Sequence, residues 1–120
     1  MYKIHYYATA RGEGVVKDFI FSLSPKTEKK VFRAIDLLEE HGPELRRPHA
    51  DSVKGKIREL RIRLAQDHIR ILYFFFPGET IVLLHGFRKK TNEIPIREIE
   101  QAGRNMNDFI ARYLKGEIEI

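Results

Sequence analysis

The stretch IRELRIRLAQDHIRILYFFFPGETIVLLHGFRKK, residues 57–90, decides the fold. It holds three apolar segments separated by two short polar turns. Residues 57–64 alternate between apolar and charged side chains, which is typical of a β-strand with one covered face and one face toward water. Residues 68–76 are almost continuously apolar, which favours the centre of a sheet, and residues 81–87 form a third strand. The short turns predict that these three strands form an antiparallel meander.

Two helices are predicted before the meander. Apolar residues recur at helical spacing between Val15 and Leu23, and again from Val31 to Leu38. The pair Ser24-Pro25 has the properties of a helix start, because serine caps free N–H groups and proline suits the first helical position. His41-Gly42-Pro43 is expected to end the second helix. The very short connection predicts an antiparallel helical hairpin.

The remaining segments complete the expected order. Residues 2–8 alternate as a short first strand, and residues 44–53 are expected to form a loop. A last helix starts near Pro95 and ends at Gly116. The order β-α-α-β-β-β-α predicts one α+β domain over residues 1–120, with a twisted antiparallel sheet. The helical hairpin would cover one sheet face, and the other face would stay partly open.

Composition excludes several classes of site. The chain has no cysteine, which rules out disulfides, thiolate metal sites and a cysteine nucleophile. Its five histidines lack the close spacing of a metal site, and no glycine-rich phosphate loop is present, so no metal or cofactor is expected. The longest apolar run, residues 71–76, is far shorter than the ~20 residues of a membrane span. We expect a soluble, cytoplasmic protein without a signal peptide.

The positive charge is concentrated in one segment. The formal net charge of the chain is +5, while residues 54–90 alone carry nine basic and three acidic residues. The basic residues are Lys54, Lys56, Arg58, Arg61, Arg63, Arg70, Arg88, Lys89 and Lys90, and the acidic ones are Glu59, Asp67 and Glu79. A concentrated basic field attracts polyanions, of which RNA is the one we favour. A simple solvated surface is the alternative.

The polar face of the meander carries candidate phosphate ligands. Arg61 and Arg63 lie on one strand and Arg70 on its neighbour, and strands ~4.8 Å apart can bring such groups together. Guanidinium groups bind phosphate through two parallel hydrogen bonds. Arg70 interrupts an apolar strand, and burial of an unpaired charge is costly, so its side chain must reach an acid, water or a ligand. A structural pairing with Glu59 or Asp67 is the alternative.

A second group of candidates lies at the end of the third strand. His85 and Phe87 share a face beside the basic run Arg88-Lys89-Lys90. Phe87 offers a surface on which an unpaired base can stack, and His85 is either an acid–base group or a packing residue. RNA cleavage needs no metal, since the 2′-OH is a built-in nucleophile that the protein only has to align and deprotonate.

At these residues the sequence resembles the RelE/ParE toxin superfamily, and most closely its phage-derived, HigB-like branch. The similarity rests on ELR at 59–61, IRILYF at 69–74 and LLHGFRKKT at 83–91, followed by Pro95 and Glu98-Ile99. It extends over nearly the whole chain. The combination of these segments is specific, whereas each segment alone is weak.

The resemblance implies a RelE-like fold and the toxin of a type II toxin–antitoxin system that cleaves mRNA on the ribosome without a metal. It implies that Arg70 contacts the scissile phosphate, that Arg88 acts on the leaving group, and that His85 is a further catalytic candidate. Arg61, Arg63, Lys89 and Lys90 match positions of the family pattern and are expected to bind RNA. Lys54 and Lys56, from the basic segment, and Phe87, as a stacking surface, are the further residues that we expect to bind RNA. Relatives carry a C-terminal tyrosine as general base, but the spacing of Tyr113 differs, so the base would be His85 or a lysine.

The same resemblance implies a partner. We expect a helix-turn-helix, HigA-like antitoxin encoded next to this chain, in a heterotetramer, or a homodimer of the toxin itself. Two alternatives stay open: a ParE-like inhibitor of DNA gyrase that acts by protein binding, and an inactive relative that binds only its antitoxin. The superfamily fold is common to all three and does not separate them.

Overall fold

The computed structural model of the protein describes residues 1–120. Its elements in chain order are β1 (Lys3–Tyr6), α1 (Val15–Phe21), α2 (Pro25–His41), a short 3₁₀ turn (Gly42–Glu44), β2 (Ala50–Lys54), β3 (Ile57–Leu64), β4 (Asp67–Phe76), β5 (Thr80–Arg88) and α3 (Ile96–Leu114). The predicted α+β class is confirmed, as are the helical hairpin, the three-stranded meander and the final helix. No helix is both long and apolar enough to cross a bilayer.

The five strands form one sheet in the order β1-β5-β4-β3-β2. The apolar strand β4 lies at its centre, as its composition predicts, and β3, β4 and β5 pair antiparallel. The prediction of a wholly antiparallel sheet is wrong at one edge, because β1 pairs parallel to β5. The long connection through α1 and α2 makes this possible, since the chain can return to the sheet in either direction.

The predicted loop over residues 44–53 is wrong in its second half, where β2 pairs antiparallel with the start of β3. In this strand only Ala50 is buried, while the other side chains are exposed or half-buried. An edge strand of this kind has no apolar alternation, so its sequence is hard to distinguish from a loop. Pairing with β3, rather than local pattern, makes it a strand.

The helical hairpin packs on one face of the sheet. Ser24 caps α2 by accepting a bond from the Thr27 N–H at 3.5 Å, and Pro25 occupies the first turn, as predicted. Gly86 on β5 lets α1 approach closely, since a Cβ atom there would lie only 2.5 Å from Cδ2 of Phe19. Glycine is therefore required at this position by the packing of α1, not by its backbone angles.

Helix α3 packs on the other face, over β5 and β4. Phe109 is fully buried there against the rings of Phe74 and Phe76. Asn105 donates from Nδ2 to the Leu84 carbonyl at 2.8 Å, which fixes the helix along β5. On the same face, the end of the sheet formed by the second half of β3 and the start of β4 carries polar side chains instead of an apolar contact with α3.

Replacing Gly86 with alanine should destabilise the protein by about 1–3 kcal/mol, the usual effect of overpacking a tight interior contact. The matched control is Gly103→Ala on α3, where nothing lies within 4 Å of the added Cβ. Alanine should be neutral or stabilising there, because it is the better helix former. Chemical denaturation measures both, and a Gly86→Ala protein as stable as wild type would contradict the packing of α1.

Candidate functional site

A small polar cavity of about 250 Å³ opens where β3, β4 and the segment after β5 meet. Its lining contains no apolar residue and no carboxylate. The lining residues are Arg61, His68, Arg70, Lys89, Lys90, Thr91 and Asn92. Four of these seven side chains are basic, so the cavity, which we call the basic cavity, is suited to an anion.

Strand register brings the arginines of the basic cavity together. Arg61 on β3 lies directly opposite Arg70 on β4. Opposed residues on neighbouring antiparallel strands have Cβ atoms about 4.5–5.5 Å apart and point to the same face. The predicted convergence of these two residues is confirmed. Two like charges placed in this way repel each other, so the arrangement requires a counter-charge.

Glu59 supplies that counter-charge. Arg70 is only 3% exposed, and its Nε lies 2.8 Å from Glu59 Oε1, while Glu59 Oε2 lies 3.5 Å from a terminal nitrogen of Arg61. The Arg70 Nε–H is not aligned with the carboxylate, so the contact is an ion pair rather than a directed hydrogen bond. Nη1 of Arg70 donates to the Ile69 carbonyl at 3.1 Å. Nη2 has no partner within the chain and is not fully buried, so it can reach the basic cavity.

Lys89 completes the charged wall. Its backbone N–H donates to the His68 carbonyl at 2.7 Å, which extends the pairing of β5 with β4 past Arg88. By strand alternation its side chain shares the face of Arg70. Burial lowers the pKa of Lys89, and the nearby charge of Arg70 lowers it further, with smaller contributions from Arg61 and Arg47 against the opposing effect of Glu59. Lys89 therefore releases its proton more readily than an ordinary lysine.

The pKa of Arg70 is also lowered, first by burial and then by Arg61 and Arg47, against the opposing effect of Glu59. One carboxylate thus faces three or more cations. The electrostatic field of the site is positive, and an anion in the basic cavity would relieve the repulsion among the arginines.

Arg88 does not join this group, contrary to the sequence prediction. It lies opposite Ile69 in the register, on the face that carries the helical hairpin, whereas Arg70 lies opposite Phe87. Its guanidinium pairs with Asp67, whose carboxylate also accepts a bond from Thr27 on α2 at 3.4 Å. Neighbouring residues of a strand point to opposite faces of the sheet. The sequence prediction grouped Arg88 with its neighbours along the chain and therefore assigned it to the wrong face.

His85 and Phe87 form a separate cluster beneath α3. His85 Nε2 lies 2.8 Å from Glu98 Oε1, and the two rings stack with centroids 5.8 Å apart. Phe87 is only 5% exposed, so the expectation that it offers a stacking surface to an RNA base is wrong. Its apolar ring fills the core instead. His85 shares the sheet face of Arg70 but does not line the basic cavity.

The other predicted RNA-binding residues are distributed along the sheet. Lys90 is at the mouth of the basic cavity, and Arg63 is exposed on the same face as Arg61. Lys54 and Lys56 are exposed at the β2–β3 turn, at the opposite end of β3. At about 3.4 Å per residue, Lys56 lies ~17 Å from Arg61, so these lysines belong to a wider basic surface rather than to the cavity.

Sequence reasoning missed several cavity residues. Thr91 and Asn92 follow the basic run and carry no signal of their own. Arg47, from the loop before β2, does not line the cavity but adds to the positive field that acts on Arg70 and Lys89. His68 could have been found, because it precedes Arg70 by two positions and so lies on the same strand face. No three histidine, aspartate or glutamate side chains cluster in a way that could hold a metal ion.

The architecture is that of a RelE-like α+β domain. Its sheet carries a helical hairpin on one face and a further helix on the other, with the basic cavity at the open end. Residues 18–107 match the family "Phage derived protein Gp49-like (DUF891)", and the chain belongs to this family. The resemblance to the phage-derived, HigB-like branch is thereby confirmed.

Two curated relatives come from Mycobacterium tuberculosis. The protein named "Putative toxin HigB3" is 40% identical over 81 residues, which cover 64% of this chain and 69% of the relative. The protein named "Putative toxin HigB2" is 34% identical over 79 residues, which cover 62% of this chain but only 39% of that relative. The chain therefore spans well under half of the second relative's length.

Replacing Glu59 with glutamine should destabilise the protein by about 3–5 kcal/mol, because it leaves Arg70 buried without a counter-charge. The double variant Glu59→Gln/Arg70→Met should recover part of this loss, since it removes both buried charges. Asp51→Asn, which breaks an exposed pair with Arg47, is the control and should leave stability nearly unchanged. Urea denaturation of the four proteins checks this, and a harmless Glu59→Gln would contradict the ion pair.

Proposed function

We propose that this protein is the toxin of a type II toxin–antitoxin system and that it cleaves mRNA on the ribosome without a metal ion. The observation that carries the proposal is the basic cavity, in which Arg61, Arg70 and Lys89 surround a space that suits one phosphate group. The family and the names of the two relatives support the toxin class. An antitoxin, expected as a helix-turn-helix protein encoded nearby, is the partner that this class requires.

The proposed reaction uses the RNA as its own nucleophile. The 2′-oxygen of the ribose bonds to the adjacent phosphorus, the bond from phosphorus to the 5′-oxygen of the next nucleotide breaks, and a 2′,3′-cyclic phosphate remains. Arg61 and the free Nη2 of Arg70 would face the non-bridging oxygens and stabilise the added negative charge of the transition state. Binding in a fixed orientation would also align the attacking and leaving oxygens.

Lys89 is the proposed general base. It lines the basic cavity, and its lowered pKa gives a larger neutral fraction able to accept the proton of the 2′-OH. His85, the other candidate from the sequence, is engaged by Glu98 outside the cavity. His68 lines the cavity and is the group we assign to protonation of the leaving 5′-oxygen, a role that the sequence resemblance gave to Arg88.

On translating ribosomes, the wild-type protein should produce new mRNA 3′ ends in the A site that carry a 2′,3′-cyclic phosphate. Primer extension locates the ends, and 3′ ends that become ligatable only when acid opens the ring before phosphatase treatment identify the cyclic group. A folded protein that leaves mRNA intact would contradict the nuclease proposal. If its expression instead induced a DNA-damage response, inhibition of gyrase would be the better assignment.

Lys89→Arg should lower the cleavage rate about 10²–10⁴-fold, because arginine keeps the positive charge but cannot act as a base. The control is Lys90→Arg, a neighbouring exposed lysine at the mouth of the same cavity, which should stay within a few-fold of wild type.

The pH profile gives a second readout. Wild-type activity should show a rise with pH as Lys89 loses its proton, at a lower pH than an ordinary lysine would give, because the pKa of Lys89 is lowered. The Lys89→Arg protein should lack this rise. Equal rates and equal profiles for wild type and Lys89→Arg would exclude Lys89 as the base, while leaving open cleavage by another residue.

A further inference from the structure

The second half of β3 has an unpaired edge. Along β3, the pairing with β2 extends only as far as Leu60, which lies opposite Ala50. One further bond joins the Arg61 N–H to the His49 carbonyl at 2.8 Å. In an antiparallel ladder, alternate residues direct their backbone groups to the same side. The Arg63 N–H and the carbonyls of Arg61 and Arg63 therefore point to this edge, where the chain offers them no partner.

A groove of about 630 Å³ lies between this edge and helix α2, and it is distinct from the basic cavity. Six basic side chains line it and no acidic one. They are Lys26, Lys29, Lys30 and Arg33 from α2 and Arg61 and Arg63 from β3. Between these charges the wall of the groove is apolar, with Ala34 and Leu37 of α2 facing Leu64 of β3.

We propose that this groove binds an extended, acidic segment of a partner polypeptide, which adds to the sheet as a sixth strand beside β3. Three features of the groove select this occupant. The free N–H and carbonyl groups of β3 match the alternating donors and acceptors of another strand. The apolar wall accepts every second side chain of that strand, and the six cations attract carboxylates on the others.

A single-stranded RNA fits these features less well. Its backbone accepts hydrogen bonds at every phosphate but has only the 2′-OH groups as donors toward the free carbonyls of Arg61 and Arg63. The groove also offers only one aromatic ring on which a base could stack, that of His49, since the rest of its lining is basic or aliphatic apart from Pro48. The cationic rim alone would suit either polymer, and the strand edge favours the polypeptide.

A strand bound in this groove would affect the basic cavity through one shared residue. Arg61 lines both the groove and the basic cavity. A carboxylate that pairs with Arg61 from the groove would compete with Glu59 and with any phosphate for the same guanidinium. An acidic strand on β3 would therefore weaken anion binding in the cavity without entering it.

The test uses the full-length protein and a fluorescent seven-residue peptide in which glutamate alternates with valine. Fluorescence anisotropy should show saturable binding that weakens at least tenfold in the Lys29→Glu/Lys30→Glu variant. The control variant Lys3→Glu/Lys115→Glu makes the same change in net charge at exposed sites outside the groove and should bind as wild type does. Circular dichroism confirms that each variant is folded.

Two further measurements separate strand addition from simple charge attraction. A peptide N-methylated at alternate amides cannot pair with the edge and should lose binding, and the amide hydrogen of Arg63 should exchange more slowly when the unmodified peptide is bound. Equal affinity for the methylated peptide, or an unprotected Arg63 amide, would overturn the proposal. Binding of a seven-nucleotide RNA that is lost with Lys29→Glu/Lys30→Glu, while the peptide fails to bind, would assign the groove to nucleic acid instead.

Discussion

Glu59 holds two arginines in place at the open end of the sheet, and the candidate site depends on this arrangement. Arg70 is almost fully buried and would be strongly destabilising without the carboxylate 2.8 Å away. A buried ion pair of this kind seldom stabilises a protein more than well-packed apolar residues would. Its presence on a mostly apolar strand is therefore better explained by what the guanidinium does at the cavity than by its contribution to folding.

The ion pair between Glu59 and Arg70 also explains why the electrostatic field of the site stays positive. Glu59 can neutralise only one of the charges of Arg61, Arg70 and Lys89, which strand register and the extension of β5 bring to one face. Burial and the remaining repulsion together lower the pKa of Lys89, and Nη2 of Arg70 has no partner within the chain. A phosphate group in the cavity would offset this repulsion and accept a hydrogen bond from Nη2 of Arg70. The electrostatic imbalance thus gives the cavity its affinity for anions and, together with burial, gives one lysine the properties of a base.

The fold could be predicted from the sequence wherever local pattern and tertiary environment agree. The alternation of β3, the continuous apolar run of β4 and the Ser24-Pro25 helix start each identify one element directly. Strand β2 could not be found in this way, because its polar edge position produces no apolar pattern. The parallel pairing of β1 likewise depends on how the chain returns to the sheet, which no local signal encodes.

The candidate site was predicted only in part. Arg61 and Arg70 were correctly placed because strand alternation and register determine their positions. Arg88 was misplaced because closeness in sequence was taken for closeness in space, although its side chain points to the other face. Phe87 lies opposite Arg70 on the same face, and the error there concerns its exposure, because the ring is buried. The contributions of Arg47 and Asn92 come from loops, whose paths the sequence pattern does not define.

The most direct test of the account compares Arg61→Gln with Arg88→Gln in binding to an RNA whose scissile nucleotide carries no 2′-OH and so cannot be cleaved. Both variants remove one arginine charge, but only Arg61 lies in the basic cavity. The account predicts that Arg61→Gln weakens binding at least tenfold and reduces its salt dependence, while Arg88→Gln binds nearly as wild type does. Equal losses in the two variants, or a larger loss with Arg88→Gln, would contradict it.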